Sequence, residues 1–377
     1  MRNLWSDRDA RAAVKTYRAQ GANEDLALRT YTTRLLGGDP RLVQHGGGNT
    51  SVKTVMRDVA GETAKVLCVK GSGGDMATIE PPGLPAVRLA PLLKLVGLKA
   101  LSDEEMVAIQ RGNLLDTAAP NPSVETLLHA FIPHKFVDHT HANAVLALCD
   151  RPDGMALCRK VYGSRAAIVP YVMPGFALAL KAKEVFAAHP QCEGLILHKH
   201  GIFTFGSSAR EAYDRMIDLV SRAERTLRGM RRRRAFSVKL PKTLATVPDI
   251  APLLRGLVSE PGLHFVLAHR AGGDVLTYVN GRDLARYSRQ GPVTPDHVIR
   301  TKPRPLILPA PDAGRLGAFA MTTRKAVDKY QAEYRRYFAR HNARAVPKKR
   351  PLDAMPRVIL VPGVGLFGVG ATAKDAS

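Results

Sequence analysis

Helical stretches and short apolar runs alternate over residues 7–235 of the chain. Asp7–Leu36 is rich in Ala, Arg, Leu and Glu and lacks proline, which predicts helix, whereas Ser51–Val55 and Lys65–Val69 have the composition of strands. From Ala209 to about Arg233, small and apolar residues occupy one stripe and arginines lie opposite, which predicts a long amphipathic helix. This alternation favours a layered α/β domain.

Further elements follow from the same patterns. Ser102 is followed three positions later by a glutamate, which is the signature of a capping box at a helix start. The patterns predict helices at Leu92–Leu98, Ser102–Arg111, Glu125–Phe131, Ala144–Cys149 and Phe176–Ala188, strands at Phe136–His141, Ala167–Val169 and Gly194–Leu197, a loop over Pro81–Pro91 and a turn over His200–Gly206.

A second αβ pattern follows a stretch with three prolines, Lys239–Pro252, which predicts a linker. We therefore expect a first domain at 1–238, a linker at 239–252 and a smaller αβ segment at 253–377. The elements predicted around and after the linker are helices Ile250–Leu257 and Arg324–Arg340 and strands His264–Ala268, Val275–Val279, Leu306–Leu308 and Val358–Val361.

The two αβ parts end alike. Leu195–Tyr213 and Val358–Ser377 share a strand, a glycine turn with a Gly–hydrophobic–Phe step, a second glycine, small residues, and then Ala with a basic and an acidic residue. In the first copy this pattern opens the long helix, and in the second copy the chain stops there. We expect the chain to be the front part of a longer protein with a truncated second segment; a chance likeness of two turns is the alternative.

Composition narrows the class of protein. The 377 residues are 45% hydrophobic and 24% charged, which is typical of a globular protein, and no run approaches the roughly 18 apolar residues of a membrane span. The amino terminus lacks a signal sequence, and the four cysteines form no CxxC pair, so we expect a cytoplasmic protein.

The formal net charge is +23. The excess is scattered except in Arg231–Arg234 and Arg335–Arg350, which end predicted helices without the interleaved aromatic residues of a single-strand binder. We therefore predict a solvated basic surface that attracts anionic substrates, rather than a nucleic-acid-binding or membrane protein.

Three histidines are candidates for metal ligands. His139 and His141 end a predicted strand two positions apart, so their side chains point to the same face. A catalytic zinc site needs three protein ligands and an open position. His200 follows another strand and precedes Gly201, which makes it the best third ligand, although His198 competes for the role.

A carboxylate and two glycine-rich turns complete the candidate chemistry. Glu125 opens a helix in the motif PNPSVE, where it is either an acid/base group or a first-turn glutamate stabilised by the helix dipole. His45–Ser51 and Lys70–Asp75 have the glycines and amides that cradle a phosphate, or they are plain turns. Neither matches the nucleotide-hydrolysing P-loop pattern.

Taken together, the motifs GGGNTS, KGSGGD, PNPSVE, HTHANA and HGIFTFG resemble the class II aldolase/adducin family in their order and intervals. The phrases VPYVMPGFALA and HVIRTKP extend the resemblance to the aldolase part of bifunctional rhamnulose-1-phosphate aldolase/alcohol dehydrogenases. The short-chain dehydrogenase part of those proteins is absent. GxGxxG at Gly363–Gly368 is followed by too little chain for a dinucleotide fold, so we expect no NAD site.

The resemblance implies a three-layer αβα domain and a zinc-dependent lyase that forms a homo-oligomer. It implies one Zn²⁺ per chain on His139, His141 and His200, with Glu125 as the acid/base. The substrate phosphate would lie among Asn49, Ser72, Gly73 and Ser123. One departure is Val124, where related aldolases often have a second serine.

The reaction implied is aldol cleavage of a ketose 1-phosphate, with rhamnulose 1-phosphate giving dihydroxyacetone phosphate and lactaldehyde. Two alternatives stay open. The first is an epimerase or dehydratase acting on a pentulose phosphate, because such enzymes share the enediolate chemistry. The second is a non-catalytic adducin-like interaction module, against which the presence of all three histidines and Glu125 counts.

Overall fold

The computed structural model describes residues 1–44, 47–230, 236–260, 262–294 and 297–377. The chain forms two compact units, Met1–Met230 with Val293–Pro295 and Arg231–Pro292 with Asp296–Ser377. His45 and Gly46 of the first glycine-rich turn lie outside the described residues, as do the Arg231–Arg234 run and the predicted end of the long helix at Arg233.

The first unit is built on a seven-stranded sheet with the order β3-β2-β1-β4-β7-β6-β5. All neighbouring strands are antiparallel except β5 and β6, which are parallel. The strands are β1 Asn49–Arg57, β2 Thr63–Val69, β3 Ala86–Arg88, β4 Phe136–Thr140, β5 Ala166–Val169, β6 Gly194–Leu197 and β7 Gly201–Gly206.

Helices cover both faces of this sheet. Alternate residues of a strand point to opposite faces, so Leu67 and Phe203 join one apolar core while Val66 and Ile202 lie in cores on the other side. The three-layer αβα arrangement is therefore confirmed. The helices are α1 Asp7–Ala19, α2 Glu24–Gly37, α3 Leu89–Lys94, α4 Asp103–Gly112, α5 Thr126–Phe131, α6 Asn143–Cys149, α7 Gly154–Tyr162, α8 Phe176–Ala188 and α9 Ala209–Gly229.

Three sequence predictions in this unit need correction. The loop predicted over Pro81–Pro91 contains strand β3 and the start of helix α3. The helix predicted over Asp7–Leu36 is two helices, because Gly21 has φ +90 and Asn23 caps α2 through its side chain. The turn predicted over His200–Gly206 is strand β7, fully buried between β4 and β6. Its glycines at both ends suggested a turn, but its inner residues pair with two strands.

The second unit contains a four-stranded sheet with the order β8-β11-β10-β9. Its strands are β8 Val266–Arg270, β9 Leu306–Ile307, β10 Val358–Val361 and β11 Gly365–Gly370. Its helices are α10 Val247–Val258, α11 Gly273–Val279, α12 Leu284–Tyr287, α13 His297–Thr301, α14 Leu316–Asn342 and α15 Ala373–Ala376.

One element prediction is wrong in this unit, and helix α10 begins within the predicted linker. The segment Val275–Val279, predicted as a strand, lies in helix α11 and buries Val279. The predicted linker 239–252 ends in a helix: Thr246 and Asp249 form a capping box, and Pro248 occupies the first turn, where proline is tolerated. The apolar core of the unit buries Ile250 of that helix.

The second sheet repeats one half of the first. The order β8-β11-β10-β9 matches β4-β7-β6-β5, and in both cases the outermost strand pairs in parallel with its neighbour. Leu197 pairs with Gly201 in one hairpin, and Val361 pairs with Gly365 in the other. Ser208 and Thr372 then cap the helices that follow. The likeness between the two sequence segments is therefore structural.

Among the described residues, no helix has both the length and the apolar composition needed to cross a membrane.

Candidate metal site

The three candidate histidines lie at one end of the central strands of the first sheet. His139 is in β4, His141 follows it by two residues, and His200 ends the turn between β6 and β7. Because β7 pairs with β4 on one side and with β6 on the other, this hairpin brings His200 to the pair. Strand pairing thus joins residues that are distant in sequence.

The nitrogen atoms of the three histidines converge. One ligand atom from each of His139, His141 and His200 lies within 4.8 Å of the other two, and all three residues are buried. Nε2 of His139 is 3.0 Å from Nε2 of His141. His198 is only half-buried and is not part of this group, so the structure brings together the triad with His200.

The protonation of His139 suits a metal ligand. Its Nδ1 lies 3.0 Å from the carbonyl oxygen of Ile202, which can only accept, so Nδ1 carries the proton and Nε2 presents its lone pair to the site. Burial lowers the pKa of His139 to about 4, although Glu125 acts in the opposite direction. The imidazole is therefore neutral near pH 7, which metal binding requires.

Gly201 allows the cluster to form. A β-carbon at this position would lie 2.6 Å from the carbonyl oxygen of Thr140 and 3.0 Å from ring carbons of both His139 and His141. The sequence suggested that this glycine permits a sharp turn. Its actual role is close approach between β7 and the histidine-bearing end of β4.

Glu125 lies at the start of α5 and contacts two members of the triad. One carboxylate oxygen is 3.3 Å from Nε2 of His139, and the other is 3.2 Å from Nε2 of His200. Burial acts to raise the pKa of Glu125, but the adjacent His139 and His200 outweigh it, so the pKa lies well below its ordinary value. The carboxylate is therefore ionised.

A buried hydrogen-bond chain that sequence reasoning missed holds this carboxylate. The amide nitrogen of Asn49 donates to Glu125 Oε2 at 2.6 Å and to Ser123 Oγ at 3.0 Å. The Asn49 oxygen must then accept from Nε2 of His129, 2.5 Å away, so Nδ1 of His129 accepts from the Ser51 hydroxyl at 2.8 Å. The chain Ser51–His129–Asn49 thus orients Glu125.

A sequence signal for His129 did exist. His129 follows Glu125 by four positions, the spacing that places two side chains on one face of a helix. It is fully buried, and burial lowers its pKa well below the ordinary value, so it is neutral. A neutral imidazole can donate from one nitrogen and accept at the other, as this chain requires.

The four residues expected at the phosphate differ in their surroundings. Asn49 and Ser123 are buried beside Glu125, whereas Ser72 and Gly73 are exposed. The backbone nitrogen of Ser72 donates to the carbonyl of Asn121 at 2.8 Å, so the second glycine-rich turn is joined to the strand-like segment that leads to Ser123. Val124 is 45% exposed, so its side chain takes no part in the core.

A buried ion pair supports the strand that carries the histidines. Asp138 precedes His139, and its carboxylate lies 2.5 Å from the guanidinium of Arg29 in α2, with both side chains fully buried. Burial raises the pKa of Asp138, and Arg29 opposes that shift. Removing either partner would leave an unpaired buried charge, so this pair fixes β4 against α2.

The corresponding positions in the second unit lack the ligands. His269 lies opposite Phe367 in the second sheet, as His139 lies opposite Phe203 in the first. The residue two positions after His269 is Ala271, and the residue before Gly365 is Val364. The repeat therefore keeps one of the three histidines, and within the described ranges only the first unit carries the triad.

Comparisons with known proteins agree with this division. Residues 28–227 match the model of the class II aldolase and adducin N-terminal domain, and residues 245–377 match that of the aldolase class II second domain. A structure of the N-terminal class II aldolase domain of a conserved protein from Thermoplasma acidophilum is 39% identical, with a TM-score of 0.54, and covers 60% of this chain and 99% of its own.

Two other proteins are similar to the chain. The uncharacterized oxidoreductase YuxG of Bacillus subtilis (strain 168) is 34% identical over 90% of this chain, which spans half the length of that relative. An L-fuculose-1-phosphate aldolase from Thermus thermophilus is 21% identical over 54% of this chain and 95% of its own, with a TM-score of 0.35.

Proposed function

We propose a metal-dependent carbon–carbon lyase activity for this chain, which belongs to the class II aldolase and adducin family. One observation carries the proposal. Three buried histidines converge on a point that is also reached by the ionised carboxylate of Glu125, within 3.3 Å of two of them. Such a site pairs a ligand set with a group that can move a proton.

The residues fit a zinc ion. Zinc takes histidine nitrogen as a ligand, and a catalytic site keeps three protein ligands. The three ligand atoms lie within 4.8 Å of one another, close enough to share one ion. His139, His141 and His200 would hold the ion, one per chain. As a Lewis acid it would polarise the carbonyl oxygen of the substrate.

Glu125 is the acid/base group in this proposal. When the bond between carbons 3 and 4 of the ketose breaks, its electron pair stays on carbon 3, and the hydroxyl on carbon 4 loses its proton as the aldehyde forms. A water molecule takes the proton from the hydroxyl on carbon 4 and passes a proton to the ionised Glu125, which delivers it to carbon 3; in the reverse direction Glu125 removes that proton and the water returns one to the aldehyde oxygen. The two oxygens of Glu125 lie beside the histidines, and so the proton is moved next to the polarised carbonyl.

We assign the substrate phosphate to Asn49, Ser72, Gly73 and Ser123. The exposed turn offers the hydroxyl of Ser72 and the backbone amide of Gly73, and Ser123 offers a buried hydroxyl. Both amide hydrogens of Asn49 are already shared between Ser123 and Glu125. A phosphate oxygen that takes the bond now made to Ser123 would leave the bond to Glu125 in place, which couples phosphate binding to the orientation of Glu125.

For the substrate itself we propose rhamnulose 1-phosphate, cleaved to dihydroxyacetone phosphate and lactaldehyde in a cytoplasmic homo-oligomer. The support is the resemblance of the chain to the aldolase part of bifunctional rhamnulose-1-phosphate enzymes. Because the chain spans half the length of YuxG, the oxidoreductase description of that relative is not transferred.

The test is a cleavage assay on the zinc-loaded protein, with rhamnulose 1-phosphate and fuculose 1-phosphate as substrates and dihydroxyacetone phosphate as the measured product. Release from either sugar, lost on chelation and restored by zinc, supports the lyase. Release from fuculose 1-phosphate alone overturns the rhamnulose assignment. Zinc bound at one equivalent without release from either sugar favours the epimerase or dehydratase, and less than about half an equivalent favours a non-catalytic module.

A further inference from the structure

The second unit contains a cleft that the lyase proposal does not use. Its volume is about 630 Å³, within the range of small-molecule sites, and the carboxyl-terminal half of α14 forms most of its wall. The first unit carries the metal triad, and the second sheet has Val364 and Ala271 at the equivalent positions. The cleft therefore belongs to a repeat that lacks metal chemistry.

Tyrosines and arginines line the cleft together. Tyr330, Tyr334 and Tyr337 recur at spacings of four and three along α14 and so share one face of the helix. The rings of Tyr334 and Tyr337 have centroids 6.3 Å apart and planes inclined by 33°. Arg336 and Arg340 lie along the same wall, and Arg304 comes from the segment after α13.

Contacts with Tyr330 and with Lys302 fix the wall of the cleft that carries Arg304. The hydroxyl of Tyr330 donates to the carbonyl of Arg304 at 2.9 Å. Lys302, two residues earlier, is buried with a φ of +60, a conformation that a lysine rarely adopts. Its ammonium lies 4.2 Å from the ring centroid of Tyr334 and also pairs with Asp353. Such backbone strain persists where surrounding contacts enforce it, often at binding sites.

The cleft has an excess of positive charge. Within the described part of the chain, Arg304, Arg336 and Arg340 form no ion pair, and Glu333 is the one acidic residue of the lining. Three guanidiniums without a carboxylate partner complement the negative charge of a phosphate ester. One guanidinium group can bind two phosphate oxygens at once, and a tyrosine ring offers its face to a planar base.

We propose that this cleft binds a nucleoside phosphate. The base stacks on the Tyr334 or Tyr337 ring, the phosphates meet Arg304, Arg336 and Arg340, and Glu333 accepts hydrogen bonds from ribose hydroxyls. The amino-terminal end of the basic stretch Arg335–Arg350, predicted as a solvated surface that attracts anions, contributes Arg336 and Arg340 to this cleft. Arg335 itself donates to the side chain of Gln331 at 3.3 Å and does not line the cleft.

The test is calorimetric titration of the full chain with ATP, with inorganic triphosphate and adenosine as separate probes, at about 0.1 M salt to screen long-range attraction. We expect ATP to bind at least tenfold more tightly than either probe. Arg336→Ala should weaken ATP binding at least tenfold, whereas the matched control Arg335→Ala should leave it unchanged. Tyr334→Phe should retain binding, and Tyr334→Leu should reduce it.

Several results would overturn the site. Equal weakening by Arg335→Ala and Arg336→Ala would mean diffuse attraction by a basic surface. If inorganic triphosphate bound as tightly as ATP, stacking of the base on tyrosine would contribute nothing to the affinity. If single-stranded RNA bound more tightly than ATP, with a steep salt dependence, the cleft would be a site for a nucleic-acid chain. Absence of ATP binding at millimolar concentration would exclude a nucleoside phosphate site in this cleft. Circular dichroism checks each variant's fold, and the exposed Arg336→Ala variant keeps the test decisive if Tyr334→Leu unfolds.

Discussion

At the scale of single residues, the proposed chemistry depends on a carboxylate held between two histidines and an amide. Glu125 meets His139 and His200 on one side and Asn49 on the other. The histidine contacts keep it ionised, and the amide contact fixes its direction. In the proposed reaction, the charge of Glu125 and its direction therefore depend on different neighbours.

The Glu125→Gln variant separates metal binding from proton transfer. We expect it to keep close to one equivalent of zinc, because the three imidazoles remain, and to lose about 10²–10⁴-fold in kcat, because the amide cannot exchange a proton at carbon. Zinc content and product release measured on the same preparation check both. Glu184→Gln, an exposed residue of α8, serves as the control. Retention of more than a tenth of the activity would remove Glu125 from its role.

His129 gives a second prediction at this scale. His129→Leu deprives Asn49 and Ser51 of their buried partner, which costs about 1–3 kcal/mol of stability, and it releases the orientation of Glu125. We expect kcat to fall about 10–100-fold at unchanged zinc content. His129→Gln, whose amide can still donate to Asn49, should recover part of the loss. Equal kcat in the leucine variant and the wild type would show a purely structural residue.

At the scale of elements, the hairpin of β6 and β7 delivers His200, and the close approach of β7 to β4 makes the triad possible. Gly201→Ala tests this, because its β-carbon would meet the Thr140 carbonyl oxygen and both rings of the HxH pair. We expect zinc affinity to fall more than tenfold in a competition titration with a chelator.

Gly112→Ala is the matched control, since nothing lies within 4 Å of a β-carbon at the end of α4. It should bind zinc as the wild type does and melt at the same or a slightly higher temperature, because alanine favours helix over glycine. Wild-type zinc affinity in Gly201→Ala would mean that the strands separate without cost, and the close-approach argument would fail.

Most elements could be predicted from local patterns, and the failures have specific causes. The capping box at Ser102, helix Phe176–Ala188 and strand Gly194–Leu197 lie where their sequences indicate. Val275–Val279 was assigned as a strand from β-branched residues, yet it is helical in α11. Short apolar runs fit either state, and their packing partners decide between them.

At the scale of the whole molecule, the two sheets share a strand order, but among the described residues only the first carries the histidine triad. His139 and His269 occupy corresponding places opposite Phe203 and Phe367, with ring centroids 4.1 and 4.9 Å apart respectively. The full chain therefore provides its own control. We expect His139→Gln to abolish zinc binding and lyase activity, and His269→Gln to leave both within about twofold of wild type, since changes away from a site have small effects.

Zinc content by atomic absorption and the cleavage assay, performed on both variants in parallel, check this assignment. A comparable loss of zinc in His269→Gln would mean that the second unit contributes a ligand, and the division of labour between the two units would be wrong. Thermal melts of both variants show whether either substitution acts through stability instead.

The sequence by itself determined which chemical groups are present and which of them share a face. Two histidines spaced by two in a strand must point the same way, and the order of five motifs indicated the family. The tertiary structure alone decided that His200 rather than His198 completes the triad, that His129 acts through Asn49 on Glu125, and that the second sheet lacks the ligands. Local spacing sets side-chain direction, whereas convergence depends on strand register between segments that are far apart in the chain.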